Sequence, residues 1–279
     1  MTTLCWLIAG LWTAHAGRVV AVGDLHGDLD NALAVLQLAG VIDALGQWSG
    51  GDTTLVQTGD VTDRGPDSKE LIELLARLEL QAAAAGGRVV ALNGNHEIMN
   101  LLGDLRYVDP GDTAKFGGPT QRAHAFSDKG ALGQRLRDLD VVAVVDGTVF
   151  CHGGVTPQYA AMGIDQINAL SYAVVAGQAP ASALGPSSPI WFRGYVTDPP
   201  EQACAQLAEA LRSLDAQRMV VGHTTQRTGQ VLSRCGGRLL VIDVGIADHY
   251  GGHLGAIELI DGDARALYAG GPQDLADPQ

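Results

Sequence analysis

Basic residues are scarce in this chain: 18 Lys and Arg stand against 31 Asp and Glu, giving 279 residues a net charge of −13. Such a surface repels phosphate backbones, which argues against a nucleic-acid partner. Low-complexity tracts and repeats of solenoid period are also absent, so neither a disordered nor a repeat architecture fits. No Gly-x-x-x-x-Gly-Lys sequence occurs, which excludes a P-loop nucleotide site. The apolar stretch at the amino terminus falls short of the roughly 20 residues a spanning helix needs, so no membrane anchor is expected. Cysteine is sparse, with Cys5, Cys151, Cys204 and Cys235.

Residues 1–16 carry no Asp, Glu, Lys or Arg and end in Ala14-His-Ala16, the small-x-small pattern of a signal-peptidase site. We expect 1–16 to be a signal peptide, which implies export to the periplasm or beyond; the competing reading is a buried amino-terminal strand or helix. Cleavage would leave three cysteines. Cys151 closes an apolar strand and reads as a buried, inert thiol, whereas an oxidising compartment would favour a Cys204–Cys235 bond.

The remainder, 17–279, reads as one catalytic domain. Short apolar runs at 18–23, 53–58 and 88–93 alternate with helical patterns at 29–39 and 68–85, the second with Leu71, Leu74, Leu75 and Leu78 at helical spacing. That alternation implies a parallel sheet covered by helices. Paired runs at 141–146 and 148–151, 231–234 and 239–244, and 256–260 and 264–268 flank Gly-containing turns and read as hairpins. A helix over 199–214 precedes a strand over 218–222. The second half is therefore expected to be largely antiparallel, and the whole an α/β mixed-sheet sandwich flanked by helices. Segments 103–138 and 163–188 fit neither pattern and read as insertions, either lids and substrate-reading walls or plain connections.

Five apolar runs end in small clusters of Gly with His, Asp or Asn. They are Val22-Gly-Asp-Leu-His-Gly-Asp28, Gly59-Asp-Val-Thr-Asp-Arg-Gly65, Gly94-Asn-His-Glu97, His152-Gly-Gly154 and Gly222-His-Thr224. Because ligands gather beyond the carboxyl ends of strands in open α/β sheets, these clusters can meet at one edge. Asp24 and His26 offer a carboxylate and an imidazole, donors that suit Mn, Fe or Zn. Asp60, with two oxygens, can bridge two ions, and Asn95, His152 and His223 supply neutral donors for the second.

These motifs, intact and in order, resemble those of calcineurin-like metallophosphoesterases of the phosphoprotein phosphatase superfamily. The stretch from Gly94 to Val108, together with Trp191-Phe-Arg-Gly194, is similar to the bacterial-origin Shewanella-like protein phosphatases. The resemblance implies an αββα sandwich of two mixed β-sheets with a di-metal site at the strand ends. It assigns Asp24, His26 and Asp60 to the first ion and Asp60, Asn95, His152 and His223 to the second. A water bridging the ions would attack phosphorus in line. His96 would be the general acid, oriented by Asp63, and Arg64, Arg193 and Asn95 would hold the phosphoryl oxygens. For Arg193 a structural salt bridge is the alternative. Asp28 and Glu97 are expected to hold turns and helix starts, and Tyr250 to lie near the site; His124, His249 and His253 match no motif.

The implied substrates are phosphorylated proteins, on serine, threonine or tyrosine, or small phosphomonoesters. A bis(5'-nucleosyl)-tetraphosphatase shares the early motifs and is the main rival, and a catalytically silent metal-binding scaffold is the non-enzymatic one. Cysteine-based phosphatase chemistry is excluded: it needs Arg six residues after the nucleophile, where this chain has Pro157, Ala210 and Val241.

Overall fold

The computed structural model describes residues 17–278, so the expected signal peptide lies outside the described residues. Chain direction is set first by three strands joined by two helices. Strand β1 (Val19–Val22) leads through helix α1 (Leu29–Leu38) to β2 (Thr54–Gln57), and then through α2 (Ser68–Ala84) to β3 (Arg88–Ala91). All three strands pair in parallel. Helix α2 buries Leu71, Ile72, Leu74, Leu75 and Leu78 along one stripe, which explains why an alternation of β-branched runs and leucine-rich helices folds this way.

The chain then makes α3 (Asn95–Leu101), α4 (Pro110–Lys115), α5 (Pro119–Ala125) and α6 (Ala131–Arg137) before the hairpin β4 (Val142–Val145) and β5 (Thr148–Cys151). Next come α7 (Pro157–Ala160), α8 (Ile164–Val175), α9 (Gly194–Thr197), α10 (Pro200–Ser213) and β6 (Arg218–Val221). A second hairpin, β7 (Leu232–Arg234) with β8 (Leu239–Val241), precedes a closing meander of β9 (Gly255–Ile260), β10 (Asp263–Tyr268) and β11 (Gly271–Asp274).

Two mixed sheets result, in the orders β11-β10-β9-β1-β2-β3 and β4-β5-β6-β8-β7. One continuous apolar cluster runs through both, and β1, β5, β6 and β8 are buried along their whole length. This is the expected α/β sandwich of mixed sheets flanked by helices.

The second half is largely antiparallel, as expected, through β4–β5, β7–β8, β9–β10 and β10–β11, but β5, β6 and β8 run parallel at the centre of the second sheet. Hairpin turns report only on neighbours in sequence, and the α7–α10 crossover carries β6 back alongside β5 in the same direction. The segments 103–138 and 163–188 are mostly helical, and in the first of them helices of six or seven residues, two opened by Pro at the first turn, lack the length for a periodic signal.

Cys204 in α10 and Cys235 after β7 form a disulfide with a Cα–Cα separation of 5.3 Å. Cys151 is buried and free, and burial pushes its thiol up to about 12, so it is inert as a nucleophile. The disulfide closes a loop with a sequence separation of 31. Chain-entropy arguments put its contribution at about 2–4 kcal/mol. The Cys204→Ser, Cys235→Ser double variant is therefore expected to unfold at lower urea concentration by that margin, with reductant shifting the parent protein but not the variant.

Candidate metal centre

Six strand ends converge at one edge of the sandwich. Asp24 follows β1, Asp60 follows β2, Asn95 and His96 follow β3, His152 follows β5, His223 follows β6 and Asp243 follows β8. The approach is close enough to exclude side chains. A Cβ on Gly94 would lie 2.2 Å from Asp60 Oδ1, and one on Gly222 would lie 2.3 Å from Asp24 Oδ1.

Local backbone is bent to aim these groups. His26, Asp60, Asp63, Arg64 and His223 all have positive φ, between 43° and 70°. Each such non-glycine conformation costs roughly 1 kcal/mol or more, so surrounding bonds must hold it. Glu97 does much of this holding. Its Oε2 accepts from the amides of Asp60 and Gly94 (both 2.8 Å), and its Oε1 accepts from the Val61 and Thr62 amides and the Thr62 hydroxyl (all 2.9 Å). Burial and the nearby Asp60 carboxylate raise the Glu97 carboxyl, while these donors pull it back down.

The expected ligands come together. His152 Nε2 lies 3.0 Å from both Asp60 Oδ2 and Asn95 Oδ1, and His26 Nε2 lies 3.7 Å from Asp24 Oδ2 and from Asp60 Oδ2. The His152 and His223 rings pack tilted against each other with centroids 4.7 Å apart. Two buried ligand groups emerge, each with donor atoms within 4.8 Å of one another: Asp60, His152 and His223, and Asp60, His26 and His96. Asp60 belongs to both, as a bridging carboxylate would. The grouping of His96 with His26, where Asp24 was expected, reflects its Nε2 lying 3.8 Å from Asp60 Oδ2.

Electrostatics favour cations at this point. Asp24, Asp60 and Asp243 are 3%, 2% and 1% exposed and repel one another, so a buried positive charge is needed to offset them. Burial, then Asp243 and Asp60, raise the Asp24 carboxyl well above the usual carboxylate range. Burial alone would raise Asp60 too, but His152, His96 and His26 outweigh it and hold that carboxyl well below. Burial pushes His26 down to about 3, and burial with His152 and Arg193 beside it pushes His223 down to about 2. Both imidazoles are thus neutral lone-pair donors. Nδ1 of His26 donates to the Thr62 carbonyl (3.2 Å) and Nδ1 of His152 to the Thr58 carbonyl (3.0 Å), which leaves each Nε2 free to ligate. Oxygen and nitrogen donors in this mix, with carboxylates seated where no Cβ fits, suit two ions of the Mn, Fe or Zn type.

Around the ligands is a cleft of about 140 Å³. Arg64 lies 4.0 Å over the Tyr107 ring, Tyr250 packs 4.9 Å from the His26 ring, and Trp191 packs edge-on to His223. Arg193 donates to the His223 carbonyl and to Thr224 Oγ1 (3.4 Å), rather than pairing with a carboxylate as its alternative reading required. His96 Nδ1 bonds Asp63 Oδ2 at 2.7 Å; burial works to lower the imidazole, but Asp60 and Asp63 outweigh it and raise it. Asp28 caps α1 by accepting from the Asn31 amide. His249 stacks on Tyr250 outside the ligand set, and neither His124 nor His253 joins it.

Sequence reading missed Asp243 and Tyr107 as site residues. Asp243 had a signal, since Val241-Ile-Asp-Val-Gly245 is another apolar run ending in Asp and Gly, but it was absorbed into a hairpin. Tyr107 sits beyond α3 in a segment without periodicity, so only the fold brings it to the cleft.

A strand-end centre of this kind defines a class. The calcineurin-like phosphoesterase family profile matches residues 17–226, and the chain belongs to that family. It is a metallophosphoesterase, most like protein phosphatases, and the buried His and Asp clusters are the metal site typical of the family. Shewanella-like protein phosphatase 2 of Arabidopsis thaliana is 32% identical over 280 residues, spanning 82% of this chain and 71% of its own length. An uncharacterised protein of Schizosaccharomyces pombe is 37% identical over 264 residues, 89% of this chain and 79% of that one. Among solved structures, the cold-active protein-tyrosine phosphatase of a psychrophilic Shewanella species superposes with a TM-score of 0.82 at 30% identity, covering 93% of this chain and 80% of that one.

Replacing Glu97 with Gln would turn an NH₂ group toward amide donors that now meet a carboxylate. An unsatisfied buried donor set costs about 1–3 kcal/mol per group. Glu97→Gln is expected to lower unfolding free energy by roughly 2–4 kcal/mol, read from urea denaturation; a change under about 0.5 kcal/mol would contradict the clasp described here.

Proposed function

We propose that this chain is a metal-dependent phosphomonoesterase acting on phosphorylated proteins, with phosphotyrosine its preferred substrate. The observation that carries this is the His96–Asp63 pair beside the Asp60 ligand cluster. With Nδ1 engaged by Asp63, His96 has Nε2 available at the cleft. A silent scaffold has no use for a paired acid.

Asp24, His26 and Asp60 would hold one ion, and Asp60, Asn95, His152 and His223 the other. Two cations bound there would lower the pKa of a shared water and neutralise charge on the phosphoryl oxygens. Arg64 and Arg193, with the Asn95 amide, orient those oxygens from the open side. As the bond from phosphorus to the leaving oxygen breaks, its electron pair stays on that oxygen and His96 Nε2 gives it a proton. Oxygen from water forms the new bond to phosphorus, and the proton that water loses balances the one His96 gave.

An aromatic leaving group is supported by the rings at the mouth, Tyr107, Trp191 and Tyr250, and by the likeness to the Shewanella protein-tyrosine phosphatase. Export is supported by the Cys204–Cys235 bond, which persists in oxidising compartments, together with the Ala14-His-Ala16 pattern. Residues 17–279 then form the mature catalytic domain. Sequencing the amino terminus of the protein purified from whole cultures of its native host should find Gly17 or a neighbour; an intact Met1 would overturn export.

The decisive assay compares phosphotyrosine peptide, phosphoserine peptide and diadenosine tetraphosphate after chelation and reloading with Mn, Fe or Zn. Phosphotyrosine should be hydrolysed fastest, and His96→Asn should lower kcat on it by about 10²-fold or more. Cleavage of the dinucleotide alone would favour the tetraphosphatase, and inactivity with ions bound would favour the scaffold.

A further inference from the structure

Beneath the acid pair lies a buried cation that no role above uses. Arg122 projects from α5 and is 2% exposed. Its Nε donates to Asp112 Oδ2 at 2.6 Å, and its Nη1 donates to Asn100 Oδ1 at 2.8 Å. Asn100 in turn donates from Nδ2 to Asp63 Oδ1 and to the His96 carbonyl, both at 2.9 Å. Nη2 of Arg122 has no hydrogen-bond partner of its own, yet it stands 3.7 Å from Asp63 Oδ1. Phe126 packs against the guanidinium at 4.4 Å, so the charge is fixed in place.

We propose that Arg122 is a positioning residue for the general acid, acting through Asn100 and Asp63. This rests on the reading of His96 given above. Asp63 is fully buried and binds His96 through Oδ2 only. Its other oxygen has to be held if the carboxylate plane is to keep Nδ1–H aligned and Nε2 aimed at the leaving oxygen. Asn100 supplies that bond, and Arg122 fixes the Asn100 amide by occupying its oxygen, so the amide cannot flip. Arg122 is also the cation facing Asp63 on the side away from His96, which keeps the acceptor compensated after His96 has given up its proton. An ion pair that only fastened α5 would be complete with Asp112. Instead, Nη1 and Nη2 are both turned toward the acid pair.

The same wiring reaches the Asp63 backbone. Asp63 N donates to Ser68 Oγ (3.3 Å), and Ser68 N donates to Asp112 Oδ1 (3.1 Å), so Asp112 braces both Arg122 and the turn that carries Asp63. The arrangement joins helices α4 and α5 to the acid, although neither contributes a ligand.

A role exerted through the acid has a signature that simple loosening lacks. An ester whose leaving group departs readily as an anion needs no proton, whereas a poor leaving group does. Metal-loaded parent protein, Arg122→Met, Asn100→Leu and His96→Asn are compared on 2,4-dinitrophenyl phosphate and phenyl phosphate, with bound metal measured for each. Arg122→Met and Asn100→Leu are expected to lose about tenfold more kcat on phenyl phosphate than on the dinitrophenyl ester, in the same direction as His96→Asn. Arg122→Lys should recover part of that difference. Asn100→Leu leaves the Arg122–Asp112 pair intact and so carries the test even if Arg122→Met does not fold. Equal losses on both esters for Arg122→Met and Asn100→Leu, with His96→Asn still discriminating, would overturn this inference alone. Equal losses for His96→Asn would overturn the acid reading, and this inference with it.

Discussion

Asp60 and His96, at the heart of the site, depend on a carboxylate outside the proposed ligand set. Glu97 gathers donors from the loop after β2 and the loop after β3 onto two oxygens. That clasp fixes Asp60 at a positive φ and sets its Oδ1 to accept the His96 amide at 2.9 Å. Asp60 and His96 are thereby placed by one buried anion. Hydrogen bonds to a charged acceptor are the stronger kind, and here they hold the strained turn and counter part of the desolvation of Glu97 itself.

The charge arrangement is layered around this point. Asp24, Asp60 and Asp243 bring negative charge to the centre of an already acidic protein. The ions proposed for the site would answer it from within, beside the neutral His26 and His223, while Arg64 and Arg193 answer it from the cleft side. An anionic substrate repelled at long range is therefore drawn in only within a few ångströms of the mouth, inside the ~8 Å over which charges act at physiological salt.

Legibility in the sequence tracked locality. Strand-end motifs such as Gly59-Asp-Val-Thr-Asp-Arg-Gly65 were readable because each packs its turn, ligand and glycine into a few residues, and the fold had only to bring them to one edge. Helices α1 and α2 announced themselves by periodicity. Parallel pairing of β5, β6 and β8 was not readable, because it is decided by crossovers, through α7–α10 between β5 and β6 and through β7 between β6 and β8, rather than by any one turn. Tyr107 and Arg122 were not legible for the same reason, since their partners at the site lie far off in sequence, and Asn100 gains its meaning only from Asp63, 37 residues away. Glu97 was recognised as a turn-holding residue, though not as the acceptor shared between two loops.

The segment from Tyr107 to Arg137 looks from outside like a detachable cover. It is not one, for it presents Tyr107 at the mouth while pushing Arg122 under Asp63. Entrance and foundation are therefore made from the same short stretch of chain. A transplanted segment from a relative would have to bring its own buried cation, or leave a carboxylate stranded beneath the reaction. Divergence in what this architecture admits is in this way tethered to how it stands up.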